Sequence, residues 1–271
     1  MPAIQPVRLT RQIDELVTQF EHPLDFSSEL HGLLNFYADR TLRSSQIIEA
    51  APLLNSYRIM PPVMRQIEKS LQPRIMAAPE QALSLADYLW AERWLESRML
   101  AITILGELPS GFANQIIQRI TLWGEECRED KVLRALVSTG LQCVRLTAFV
   151  QYLSLIEGWL GSSNPLRVHL GIRSLPALLE MEIFENLPLV FRWLAPLVRE
   201  INLEYKDDLI RILRILISRS PQETAYFLRQ ALNVAANPQT GAVIRRVLDD
   251  FPKNIKLPLQ EALRAARNNR A

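Results

Sequence analysis

Apolar residues recur at i, i+3, i+4 and i+7 along nearly the whole chain, and no stretch alternates convincingly as a strand would. The pattern predicts helices throughout. Residues 206–219, KDDLIRILRILISR, open with Asp207 and Asp208 and close on Arg219, so charge matches the helix dipole at both ends. Ser220-Pro221-Gln222-Glu223 follows as a capping box with proline at the first helical position. Asn164-Pro165 and Asn237-Pro238 repeat the device of an N-cap followed by proline, and Pro79, Pro188 and Pro252 also mark helix starts. The prolines punctuate helices rather than building a linker.

A longer period lies over the helical one. Trp90, Trp123, Trp159 and Trp193 are separated by 33, 36 and 34 residues, a spacing that belongs to stacked helical hairpins. A first helix ends near each tryptophan and a second begins after a short connection. ALSLADYLW (82–90) precedes ESRMLAITILGEL (96–108), and LTAFVQYLSLIEGW (146–159) precedes PLRVHLGIRSLPALLE (165–180). A shift of 70 residues lays Leu100, Ala101, Ile102 and Leu105 over Leu170, Gly171, Ile172 and Leu175; the small residues at 101 and 171 would let helices approach closely. One period onward the ladder reaches Phe227, before GAVIRRVLDDF (241–251), and one period back it reaches Tyr57, before PPVMRQIEKSL (61–71). The rings are expected to fill the core between repeats.

Arg98-Met99-Leu100-Ala101-Ile102, an arginine followed by a small residue within an apolar second helix, resembles the HEAT consensus. That resemblance covers most of 60–250 and implies an all-α fold, a right-handed α-solenoid (α-α superhelix) of about six HEAT-like helical hairpins. A single domain over 1–271 is expected, with N-terminal capping helices in 1–55, repeats in 56–251 and a C-terminal capping helix in 252–271.

Charge adds a direction. The formal balance is +2, but residues 201–271 carry 12 Lys and Arg against 7 Asp and Glu, while the preceding 200 are slightly acidic. Arginine outnumbers lysine 26 to 5, which suits planar contact with carboxylate or phosphate. No apolar run approaches the ~18 residues of a membrane span and no secretion signal is visible, so a cytoplasmic protein without a membrane partner is expected. Cys127 and Cys143 read as two buried thiols.

Catalytic motifs are scarce. His22, His31 and His169 are scattered, and there is no HExxH, CxxC, nucleophile elbow or Walker-type loop, so neither a metal nor a cofactor is expected. One resemblance carries chemistry. Trp159-Leu160-Gly161-Ser162-Ser163-Asn164-Pro165-Leu166-Arg167-Val168-His169 looks like a stretch of the bacterial DNA alkylation repair glycosylases: a helix-end tryptophan, a polar turn, an aromatic, then arginine. Trp159 and the turn match; the family's second aromatic falls on Leu166 and its arginine on His169, with Arg167 two residues earlier. The resemblance spans roughly 80–250 in pattern. It implies a catalytic Asp about one repeat upstream, to offset positive charge building on the sugar. Lys131 to Ile156 contains no Asp or Glu, and Glu129 and Asp130 at its edge read as helix-start residues. No catalytic residue is therefore assigned.

Arginines recur on the second helices: Arg98, Arg134, Arg167, Arg173, Arg211, Arg214, Arg245 and Arg246. They make either a basic track for a nucleic-acid backbone or a set of ion pairs to neighbouring repeats, which Asp207, Asp208, Asp249 and Asp250 invite. With Trp94 in the turn AERWLES, Trp159 and His169, they form the candidate partner-binding set. The leading expectation is a non-catalytic scaffold binding protein or nucleic acid, DNA included, on its concave face. The alternative is a divergent glycosylase acting on alkylated purines in duplex DNA, which would need a carboxylate and an aromatic facing each other.

Overall fold

The computed structural model describes residues 5–38, 54–234 and 238–268. Every regular element among them is helical, and the one β-type pairing is an isolated parallel bridge between Asn55 and Trp94. Chain contacts concentrate in two compact units, residues 1–152 and 153–271, with the division inside one helix.

The first unit opens with α1 (Pro6–Thr18) and α2 (Pro23–Tyr37), within the 1–55 stretch where N-terminal helices are expected. After the extended stretch 54–60 come α3 (Pro61–Ala77), α4 (Pro79–Ala91), α5 (Leu95–Glu107) and α6 (Ala113–Glu126). The amphipathic pattern explains α3 directly: Val63, Ile67, Leu71 and Ile75 make one buried stripe. In α5 apolar residues surround the axis, and Leu100, Ala101, Ile102, Ile104 and Leu105 are all fully buried. The helix lies inside its unit, packed against α3, α4 and the segment that follows α6.

That segment departs from the plain hairpin pattern. α7 (Asp130–Ala135) gives way to a π-helical turn at Leu136–Gly140, and α8 (Gln142–Thr147) follows. The turn presses backbone onto backbone: a Cβ on Gly106 would lie 2.3 Å from the Thr139 carbonyl oxygen. Only glycine fits there.

α9 (Phe149–Leu160) spans the division. The second unit holds α10 (Pro165–Leu179), α11 (Leu187–Arg199), α12 (Lys206–Arg219), α13 (Pro221–Val234), α14 (Pro238–Val247) and α15 (Lys253–Asn268). Asn164 caps α10 as its sequence predicts, accepting from the Leu166 amide at 3.0 Å; Asn237 lies outside the described residues. Gly171 allows the close approach expected of it, since a Cβ there would meet the Leu160 side chain at 2.8 Å.

Within each unit, alternate helices pack together: α3 on α5 and α5 on α7 in the first, α10 on α12, α12 on α14, and α11 on α13 in the second. Tertiary hydrogen bonds repeat the sequence period. Gln72 to Glu107 and Arg173 to Asp208 both cross 35 residues, and Trp193 to Glu157 crosses 36. The tryptophans lie in the core: Trp90, Trp123, Trp159 and Trp193 are 6%, 4%, 3% and 7% exposed. Trp90 and Trp123 stack directly, centroids 4.4 Å apart and planes within 3°. One rung packs on the next. Both cysteines are buried, and no helix is long and apolar enough to cross a membrane among the described residues.

Candidate functional site

Two clusters join a carboxylate, a histidine and aromatic rings. In the second unit, His169 and Arg173 lie one helical turn apart on α10 and converge on Asp208 of α12. His169 Nε2 donates to Asp208 Oδ2 at 2.9 Å and Arg173 Nε donates to the same oxygen at 3.1 Å. Burial alone would raise the Asp208 carboxyl, but the hydrogen bond from His169 and the charge and hydrogen bond of Arg173 outweigh it. The group is held below the usual carboxylate range, as an anion. Tyr205 completes the cluster. Its ring lies 4.9 Å from that of His169 and its hydroxyl donates to the Pro165 carbonyl at 3.0 Å. His169 keeps 20% of its side chain exposed, against 10% for Asp208 and 8% for Arg173. The imidazole is thus the outer member of a charged, fixed group.

In the first unit the extended stretch 54–60 is tied to the α4–α5 turn. The Asn55 amide donates to the Arg93 carbonyl at 2.9 Å, and the Leu95 amide donates to the Asn55 carbonyl at 2.8 Å. This clamp lays Tyr57 over Trp94, stacked at 4.1 Å with planes 11° apart, and His31 packs against both rings. His31 bonds Tyr57 through Nδ1 and Glu92 through Nε2, each at 3.0 Å, and Ser27 donates to the other Glu92 oxygen. Burial and the nearby Glu96 and Glu92 charges push the Tyr57 phenol above its usual value, so it stays a hydrogen-bond donor. Arg58 follows with φ of 55°, and its amide is held by Ser56 Oγ and Glu96 Oε1, both at 3.0 Å.

The other candidate residues separate. Trp94, half-buried, stacks within its own chain, while the Trp159 ring is packed away from solvent and offers no face to a ligand. Arg98 lies over the Trp90 ring at 4.7 Å and donates to the Glu92 carbonyl. Arg134 pairs with Asp130 and Arg214 with Asp250, at 2.8 and 3.0 Å, and Arg211 stands 4.0 Å from Glu180. Asp249 pairs with Lys256 instead. Arg173, Arg211 and Arg214 form ion pairs with acids outside their own helices and Arg134 pairs within α7, while Arg167 on α10 and Arg245 and Arg246 on α14 are exposed.

The sequence offers Asp208 both as a helix-start acid and as an ion-pair partner for an arginine of a neighbouring repeat, and leaves Glu92, Glu96 and Tyr205 unassigned. The available signal was the repeat: Asp208 follows Arg173 by 35 residues, one period. Among the described residues no group of His, Cys, Asp and Glu is arranged to hold a metal ion.

A family model described as DNA alkylation repair enzyme matches residues 55–233, well over half of the chain. No curated protein and no solved structure matches.

Proposed function

The chain belongs to the DNA alkylation repair enzyme family, and from that premise we propose that it is a DNA glycosylase releasing alkylated purines from duplex DNA. The family match carries the reading. It moves the balance away from the non-catalytic scaffold and toward the enzymatic alternative. The Asp208 cluster lies wholly inside the matched span, and the sequence resemblance puts His169 where the family carries its arginine.

A purine alkylated at ring nitrogen N3 or N7 already bears positive charge, so its bond to C1′ breaks with the electron pair moving to the base, which leaves neutral. Positive charge passes to the sugar; water then adds to C1′ and releases a proton. We assign to His169 the contact with a DNA phosphate. Asp208 orients that ring and supplies a fixed negative charge behind it, and Arg173 keeps the carboxylate ionised. HEAT-like stacking within each unit is part of the proposal, supported by the hydrogen bonds that recur at one repeat length.

The test is release of free base from methylated duplex DNA. Wild-type protein should release base above background, and His169→Ala should reduce release at least tenfold with the fold retained. No release by folded wild-type protein would remove the enzymatic reading. The second reading, a scaffold holding a nucleic-acid backbone, is favoured by exposed Arg167, Arg245 and Arg246. It requires salt-dependent DNA binding that Arg245→Ala/Arg246→Ala weakens.

A further inference from the structure

The hydrogen bonds of the Asp208 cluster settle which nitrogen of His169 carries a proton. An ionised carboxylate only accepts, and Asp208 is held as an anion, so the Nε2 that lies 2.9 Å from its Oδ2 must be an N–H. In the neutral ring the other nitrogen, Nδ1, is then a lone pair. Nδ1 has no hydrogen-bond partner among the described residues, and it is not one of the side-chain nitrogens sealed from solvent. The ring is also more open than the two residues behind it, so a ligand reaches Nδ1 without displacing Asp208 or Arg173. Charge points the same way. With a neutral imidazole, Asp208 and Arg173 cancel; a proton on Nδ1 makes the cluster +1. Burial first and Glu204 second push the Tyr205 phenol above its usual value, so it stays neutral. The other charged residues at the start of α10, in the turn Leu203–Tyr205 and at the start of α12 are Arg167, Glu204, Lys206 and Asp207. None is a histidine or cysteine, so His169 is the member of this set whose residue type changes charge near neutral pH.

We propose that duplex DNA binds this site with uptake of one proton, His169 Nδ1 acquiring the hydrogen that it donates to a phosphate oxygen. This rests on the reading that His169 meets a DNA phosphate, and it does not require that the protein excise bases. A backbone phosphate keeps its negative charge across the range in which imidazole titrates. A lone pair on Nδ1 would face that oxygen with repulsion and no hydrogen bond. An N–H in a cluster of charge +1 gives a charge-assisted bond. The proton comes from solvent and returns to it on release. Linkage sets the sign. Where the free ring is neutral and the bound ring charged, affinity falls about tenfold for each pH unit of rise; once the free ring is itself charged, affinity levels off.

Anisotropy of a short rhodamine-labelled duplex, followed on the full chain from about pH 5.5 to about pH 8 at constant ionic strength, tests this. Wild type should weaken by about fivefold to tenfold per unit over the upper part of that range. His169→Arg, a cation throughout, should remove this slope and bind at least about tenfold tighter than wild type at about pH 8. His169→Gln, neutral throughout, should also lose the slope and match wild type at that pH. Calorimetry in two buffers of different ionisation enthalpy should find about one proton taken up per duplex bound by wild type and none by His169→Gln. That measurement decides the matter even if His169→Arg does not fold. The same slope in wild type and His169→Gln, or binding without proton uptake, overturns this proposal alone. Absence of DNA binding at every pH overturns it together with the glycosylase reading, whereas proton-coupled binding without base release supports it and removes only that reading.

Discussion

Replacing Asp208 with alanine isolates the charged group that joins α10 to α12 in the second unit. The substitution removes the acceptor of two hydrogen bonds, from His169 at 2.9 Å and Arg173 at 3.1 Å, and takes an anion from beside a guanidinium side chain that is 8% exposed. Breaking a buried pair by deleting one member costs about 3–5 kcal/mol, and Arg173 keeps other interactions, so about 3 kcal/mol is expected. With a urea m-value of about 2 kcal/mol/M the midpoint falls by roughly 1.5 M, read by tryptophan fluorescence or circular dichroism. The double variant Asp208→Leu/Arg173→Met, which exchanges the pair for apolar side chains, should recover at least half of the loss. The pH dependence follows from the direction of the Asp208 shift. Its folded value lies below its unfolded value, so its stabilisation is fully present above the ordinary carboxylate value of about 4 and is lost as pH falls through the lower folded value. The gap between wild type and Asp208→Ala should therefore be level from pH 7 to about 5 and close in stronger acid. A loss under about 1 kcal/mol, or a gap that widens on acidification, would refute the reasoning.

Gly106→Ala should destabilise by more than about 2 kcal/mol or prevent folding, because its Cβ meets backbone at 2.3 Å; Gly32→Ala, with nothing within 4 Å, should stabilise α2 by about 0.5–1 kcal/mol. Thermal denaturation compares the pair. Asn164→Ala should cost about 1 kcal/mol by loss of the α10 cap, measured in urea. Cys127, buried and pushed above its usual value by that burial, should react with a thiol reagent only as the protein unfolds, so its labelling rate should track unfolding in urea.

Local rules were legible because they act over a few residues. Periodicity set α12 at Lys206–Arg219, the helix read from its sequence, and Asn164-Pro165 announced the start of α10. The 35-residue period was legible for a related reason: each hairpin must hide the same face, so a large ring recurs at the same depth. The stacked Trp90 and Trp123 rings are that period made physical. Distances between residues one period apart were not. Asp208 reads from sequence as a helix-start acid able to pair with some arginine of a neighbouring repeat, and only the packing of α12 on α10 buries it, selects Arg173 and adds His169. Likewise Trp94 looked accessible because it sits in a turn, yet the Asn55 clamp lays Tyr57 across it. Gly106 gave no sign at all, since nothing in a helical pattern marks where another backbone will arrive. By itself the sequence determined helices, the Asn164 cap and the repeat length, all consequences of short-range sterics and burial. The tertiary structure alone decided which charges meet and which rings stack, because those depend on how neighbouring helices pack.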